Sequence, residues 1–448
     1  MPAPEAVLTT TTESFGERRA LDFFCHHTAQ QFPGLFLDDF WKRLLQFSHI
    51  EPAIRHAMIA VGSIHEQYEM YGTETVAVAD NLTEASRRFA VLEYNKATNS
   101  LVKRLSADSN PVLTTVAACL LFISIEFLRG EVDLALNHLQ SGLNILKIWR
   151  EGSKTSTESS MVEEEILPVF ERLSMTSSLF GRPAYQLYGD IVTLPSAEVT
   201  FDGLPGARKS LVALINLSLQ FIQSVLGRKN RFEVVFEDIV QQTHFEGLLH
   251  QWEQSFEALT KRKQWTQLEQ NGISLLRIHQ KAILIWLLTS LSPNETSYDQ
   301  YNEVFECVIN MATVELVDAF INPSPPGRRP LNFSFEMQLI APLYFIAIKC
   351  RVRWIRRKAI ALLFKTASKE GPWDSMRSAK VAERVVSLEE SGLDPSVGQD
   401  LPPEWSRIHH AEIKCDKHPV TGEQLVEFLS KPNGLHGEWK FHREYLVL

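Results

Sequence analysis

The sequence predicts an all-α protein of stacked helix pairs forming one large helical array, closed by a short C-terminal β-hairpin. Three observations predict it. Apolar residues recur at i, i+3 and i+4 through most of the chain, as in Val132, Ala135, Leu139, Leu143, Leu146 and Trp149, which sets them on one face of a helix. The segment Val112 to Leu128 is apolar nearly all round, as befits a helix buried among others. Only the last stretch changes rhythm: Pro432-Asn433-Gly434 is followed by alternating Trp439, Phe441, Tyr445 and Val447, which spells a turn and a strand packed on the helical body.

The elements follow in order. Thr83 to Leu105 forms a helix, stopped by the polar run before Pro111. Val112 to Leu128 and the Val132 to Trp149 helix are separated by Gly130, the residue that most readily closes a helix C-terminus, so the two form an αα-hairpin. Phe89 to Ala97 and Leu134 to Gly142 look loosely alike, but two weak copies establish no repeat. Glu151 to Ser160 is polar and reads as an exposed loop. Helices resume over Val162 to Leu179, Arg208 to Leu226, Val235 to Leu259, Gly272 to Leu291 and Tyr298 to Phe320. The prolines of Asn322 to Pro330 interrupt the pattern, since proline cannot continue a helix. Helices over Glu336 to Ala367 and Ser375 to Ser391 complete the body, the latter with Asp374-Ser375 supplying an N-cap oxygen. The domain reading is a disordered tail over 1–16, a helical domain over 17–400 with exposed loops near 151–160 and 322–330, and a C-terminal extension over 401–448 that holds the hairpin.

Composition limits function. The 448 residues carry 45 Lys+Arg against 54 Asp+Glu, a formal net charge of −9. That balance argues against nucleic-acid binding by the whole surface, because duplex affinity rests on cationic side chains. The five cysteines, Cys25, Cys119, Cys307, Cys350 and Cys415, are odd in number and widely spaced, so they point to a reducing compartment and neither a zinc ribbon nor a redox motif. Met1 to Arg18 has no apolar core and reads as neither signal nor transit peptide. Val112 to Ile125 is too short for a membrane span and runs into Glu126; no membrane association is expected.

The chain has no phosphate-binding loop, dinucleotide turn, nucleophile elbow, zinc-protease helix or EF-hand loop. No catalytic residue is named, no cofactor is expected, and cofactor-binding residues stay unknown. The chain reads as a non-enzyme. Fourteen histidines, grouped as His26-His27, His49/His56/His65 and His409-His410, invite a metal reading, but surface or core histidines explain them better and no metal is predicted. The run Lys349 to Lys358 holds six basic residues in ten positions around Trp354. It could serve as a localisation signal or an anion strip. Its flanking Ile346, Ile348, Ile355, Ile360, Leu362 and Leu363 favour a packed helix whose cations are paired or laid over apolar surface.

Two sets of segments resemble the regulatory region of fungal zinc binuclear cluster (Zn2Cys6) transcription factors. The first comprises Leu21 to Ala29, Phe40-Trp41, His49 to Glu66, Ala117 to Gly130 and His138 to Leu143; the second comprises Pro342 to Arg351, Arg356-Arg357, Ala361 to Leu363 and Glu370 to Asp374. The likeness runs from about residue 17 through almost the whole chain. The family's six closely spaced cysteines are not matched: the first hundred residues hold only Cys25. Two zinc ions cannot be held without those thiolates, so direct sequence-specific DNA binding is not expected. The resemblance implies a nuclear regulator of gene expression acting through protein contacts or a small-molecule effector. Its expected partners are a second copy or a full-length zinc-cluster regulator. A helical dimerisation or scaffold partner of such regulators stays open as the alternative, and an enzyme as a weaker one. Arg55, His56, Glu66, Glu126 and Arg129 lie in the matching motifs, where buried pairing is their expected role. Trp373 is expected to anchor the core.

Overall fold

The computed structural model describes residues 14–36, 40–71, 81–107, 111–152, 160–184, 200–312, 316, 332–366, 369–391 and 401–448. The expected tail before Ser14, most of the 151–160 loop, the 322–330 loop and the end of the expected helix to Phe320 lie outside the described residues. The chain groups into two compact units, Met1–Phe32 with Asp38–Val162, and Pro33–Leu37 with Glu163–Leu448.

The first unit is helical. Ser14 caps α1 (Phe15–Phe23) through a reciprocal bond pair with Glu17, which satisfies two N–H groups the helix leaves open. A π-turn (Phe24–Thr28) and the single turn α2 (Ala29–Gln31) lead on to α3 (Phe40–Ser48), α4 (Pro52–Tyr71), α5 (Asn81–Ala107), α6 (Val112–Arg129) and α7 (Val132–Glu151). The α6–α7 hairpin forms as expected. Gly130 takes φ 81° and its N–H closes the helix on Glu126 and Phe127, a left-handed conformation that suits glycine. α4 packs against α1, α5 and α6, and α6 against α7. The window Val112–Arg129, with mean hydropathy 1.9, is long and apolar enough to cross a membrane, which corrects the shorter apolar stretch read from the sequence; 89% of it is buried inside the fold. The helix Leu204–Asn230 of the second unit is likewise long and apolar enough, with mean hydropathy 1.5.

The second unit begins with a π-turn (Val162–Ile166) and α8 (Leu167–Leu179), then α9 (Leu204–Asn230), α10 (Phe236–Thr260) and α11 (Gln267–Thr289). α9 packs against α8, α10 and α11. The helix expected from Tyr298 begins instead as a 3-10 turn (Glu295–Tyr301) before α12 (Asn302–Met311). The helix expected over Glu336 to Ala367 is two helices, α13 (Ile340–Lys349) and α14 (Arg353–Thr366), with Cys350 extended between them. The break has an electrostatic reason. Arg351 and Arg356 both bind Glu389, at 2.9 and 2.8 Å, whereas residues five apart in one helix point about 140° apart. Ahead of α13 a two-residue strand β1 (Phe333–Ser334) pairs with β2 (Lys369–Glu370), which pairs with β3 (Trp373–Asp374). Asp374 then caps α15 (Ser375–Glu390) by accepting the Arg377 N–H at 3.0 Å, as expected.

The C-terminal hairpin is present and larger than expected. Strands β5 (Gln424–Ser430) and β6 (Lys440–Leu446) flank the Pro432-Asn433-Gly434 turn, and β4 (Ile408–Lys417) adds a third antiparallel strand. Ile408, Val426 and Phe428 form a buried cluster with Val381 and Val385 of α15. The alternating residues that announced β6 face outward, Phe441 at 53% and Tyr445 at 42% exposure. The inward side of β6 carries His442, Glu444 and Leu446, the last packed on that cluster.

Candidate functional site

The site best formed for chemistry lies in the second unit, where four segments turn one face each toward a small apolar cavity. α9 supplies Arg208, Leu211, Val212 and Ile215, α8 supplies Arg172 and Met175, and α11 supplies Leu276 and His279. These are i, i+3, i+4 and i+7 positions, so each set is one helix face. Glu336 and Met337, between β1 and α13, and Phe36 complete the wall. The interior has room for about one water molecule.

Two guanidinium groups converge on one buried carboxylate. Arg172 Nη2 donates to Glu336 Oε1 at 2.7 Å, and Arg208 Nη2 donates to Glu336 Oε2. Glu336 is 1% exposed, and an ionised carboxylate at that depth is tolerable only with such partners. The Arg208 guanidinium also lies 3.7 Å from the centre of the Phe36 ring, a cation–π contact. His279 Nε2 donates to the Gln338 carbonyl at 2.7 Å. Burial pushes its pKa down to about 4, against the opposite pull of that carbonyl, with Arg208 adding to the drop; the ring is neutral at pH 7. Next to it the Glu370 carboxylate accepts the N–H groups of Gln338, Leu339 and Ile340 at 2.8, 2.9 and 3.0 Å. It thereby caps the α13 N-terminus. Burial nevertheless pushes Glu370 up to about 7. As it stands the cavity is too small for anything larger than a water molecule, and both guanidinium groups are already engaged by Glu336.

A second polar cluster lies in the first unit. Glu93 is 1% exposed and is met by His56 Nδ1 at 2.7 Å and Lys96 Nζ at 2.6 Å; Lys96 also reaches Glu17 at 3.2 Å. Burial raises the Glu93 pKa, but the His56 and Lys96 contacts outweigh it and hold the group below its ordinary range. The donor atoms of Glu17, His56 and Glu93 lie within 4.8 Å of one another, as a metal site requires. The Lys96 ammonium already occupies the cation position between the two carboxylates. A second contact that sequence reasoning passed over is Glu69, one turn after His65, its Oε1 3.6 Å from His65 Nε2.

The motif residues are placed largely by pairing. Glu66 binds Arg19 at 2.8 Å, and Glu126, 2% exposed, binds Arg129 at 3.2 Å and the Tyr94 hydroxyl. Trp373 is buried, edge-on to Phe180 and beside Tyr344. The basic run is part of the core. Lys349 meets both Glu295 oxygens at 2.8 and 2.9 Å, Arg351 bridges Glu295 and Glu389, and Arg356 binds Glu389. Arg351 and Arg356 are 0% exposed. Trp354 and Arg357 do face water, the latter paired with Glu390 at 2.6 Å.

The described residues form a mainly helical architecture with buried ion pairs and one small cavity. The chain belongs to the family of the fungal specific transcription factor domain, which matches residues 19–357. It is similar to the transcription regulator lscL of Purpureocillium lilacinum, 29% identical over 114 residues, which is 25% of this chain and 27% of that protein. It is also similar to the aspercryptin biosynthesis cluster-specific transcription regulator atnN of Emericella nidulans, 20% identical over an alignment covering 87% of this chain and 76% of that one. The chain thus spans about a quarter of the first relative's length and three quarters of the second's. No solved structure matches it.

Proposed function

We propose that this chain regulates transcription in the nucleus through protein contacts, and that the Glu336 cavity, which as it stands holds about one water molecule, opens to admit a small effector whose presence those contacts relay. In this reading these 448 residues act without forming a zinc-cluster DNA-binding module themselves. The observation that carries this is the convergence of Arg172 and Arg208 on buried Glu336 inside an apolar wall, since ligand sites combine apolar lining with few convergent polar groups. The biosynthesis-cluster role printed for the Emericella relative makes the genes of such a cluster the first targets to read. No catalysis is assigned.

The test tethers the full chain to an unrelated DNA-binding module upstream of a reporter. Reporter output is expected to change several-fold against the module alone, and Arg208→Met is expected to abolish any dependence on added metabolite extract. Output indistinguishable from the bare module would end the reading. The alternative, a helical partner of full-length zinc-cluster regulators, is favoured by the exposed apolar residues at the start of α10. It predicts an effect only in cells that contain such a regulator.

A further inference from the structure

α10 has two apolar faces, and one of them has no work inside the second unit. On the inner face Phe245, Leu249, Trp252, Phe256 and Leu259 are buried. On the outer face Phe236 is 72% exposed, Ile239 49% and Val240 52%. The stripe runs on through exposed Thr243 and Gly247, so that Phe236, Val240, Thr243 and Gly247 follow the i, i+4, i+7, i+11 spacing of one helix face. Leu226, Phe232 and Val235 are also about half exposed. Phe236, Ile239 and Val240 alone present on the order of 300 Å² of apolar side chain to water, a sizeable share of the roughly 800 Å² each partner contributes to a stable pair.

We propose that this face is a homodimer interface, in which α10 packs antiparallel against α10 of a second copy about a two-fold axis between Gln241 and Gln242. The occupant follows from the gradation of size along the stripe. Bulk falls from Phe236 through Val240 and Thr243 to Gly247. A two-fold axis between 241 and 242 sets Phe236 against Gly247 of the second copy, and Val240 against Thr243, and does so twice, as an isologous interface must. A Cβ at Gly247 would meet no atom within 4 Å, so the chain's own packing does not ask for glycine there. The Phe236 ring of a second copy does. A parallel pair would instead stack Phe236 on Phe236 and leave glycine facing glycine.

Charge agrees with the antiparallel choice. Glu237 lies about 100° and His244 about 80° round the helix from Phe236, on the same side of the stripe. Antiparallel pairing sets Glu237 of each copy beside His244 of the other, an acceptor against an imidazole. On the opposite side Ile239 falls on the aliphatic stem of Glu246.

Sedimentation equilibrium of the full chain, from nanomolar to tens of micromolar, tests the proposal. A dimer is expected. Phe236→Glu and Val240→Glu, both on the surface and checked by circular dichroism for an intact fold, should each weaken self-association by roughly tenfold or more. Gly247→Phe alone should weaken it too, and Phe236→Ala combined with Gly247→Phe should recover part of the loss, because the knob and its socket have changed places. A wild-type monomer throughout the range, including one that captures a different protein by this face, overturns the proposal. So does a dimer indifferent to both glutamate substitutions, or to Gly247→Phe.

Discussion

Glu336 and His279 hold opposite kinds of charge problem in one cavity. Glu336 is answered by the guanidinium groups of Arg172 and Arg208; His279 avoids its charge, because burial holds the ring neutral. Glu336→Ala removes an acceptor that both guanidinium groups share. Breaking a buried ion pair from one side costs about 3–5 kcal/mol, and that loss should appear in urea unfolding. For His279 the folded pKa of about 4 lies below the unfolded value of 6.5, so the unfolded chain takes up the proton first. Its contribution is complete above pH 6.5 and is lost as pH falls toward 4, worth up to about 3 kcal/mol. His279→Gln should flatten the stability profile across that window relative to wild type, and parallel profiles would show that the ring does not titrate there. Neither residue was legible as a site. Arg172 and Arg208 precede Glu336 by 164 and 128 positions, and no local spacing announces such a meeting. Glu93 was hidden for the same reason, with His56 37 residues away.

At the scale of elements, periodicity located the helices and missed their breaks. α6, α7 and Gly130 stand where the sequence set them, because a continuous apolar rhythm and a glycine stop are both local signals. The α13–α14 break was invisible because Arg351 leaves the helix to satisfy Glu295 and Glu389, partners that pattern cannot see. β4 was missed because its polar residues blur the alternation. Glu389 ties these pieces together: it binds Arg351 and Arg356 and accepts the Ile408 N–H at 2.8 Å, at the start of β4. Glu389→Ala should therefore cost about 3–5 kcal/mol and release the C-terminal strands to protease before the helices; cleavage there at the wild-type rate would count against that role. In the first unit α1 crosses α4 so closely that a Cβ on Gly62 would come 2.1 Å from the Ala20 carbonyl oxygen. Backbone cannot yield as a side chain can, so Gly62→Ala should cost about 1–3 kcal/mol, seen as a lower Tm with the helical signal retained.

For the molecule as a whole, the decisive quantity is where its positive charge goes. The formal balance is −9, and the densest basic run is partly spent inside the fold, with Arg351 and Arg356 buried and Lys349 partly buried against Glu295 and Glu389. Those cations cannot neutralise phosphates without opening the core, and Arg357, which does reach the surface, is already paired with Glu390. Affinity for duplex DNA rises with the number of phosphates neutralised and falls steeply with salt. The chain alone should therefore bind labelled duplexes no more tightly than the roughly 10⁻⁴ M end of the non-specific range at physiological salt, with no preference among sequences in fluorescence anisotropy. Tight, sequence-selective binding would mean that the helical domain itself reads DNA, and the partner-borne route to the promoter would then be unnecessary. Weak and indifferent binding would show that these 448 residues hold no promoter-reading surface, because their cations are spent on carboxylates rather than offered to phosphates.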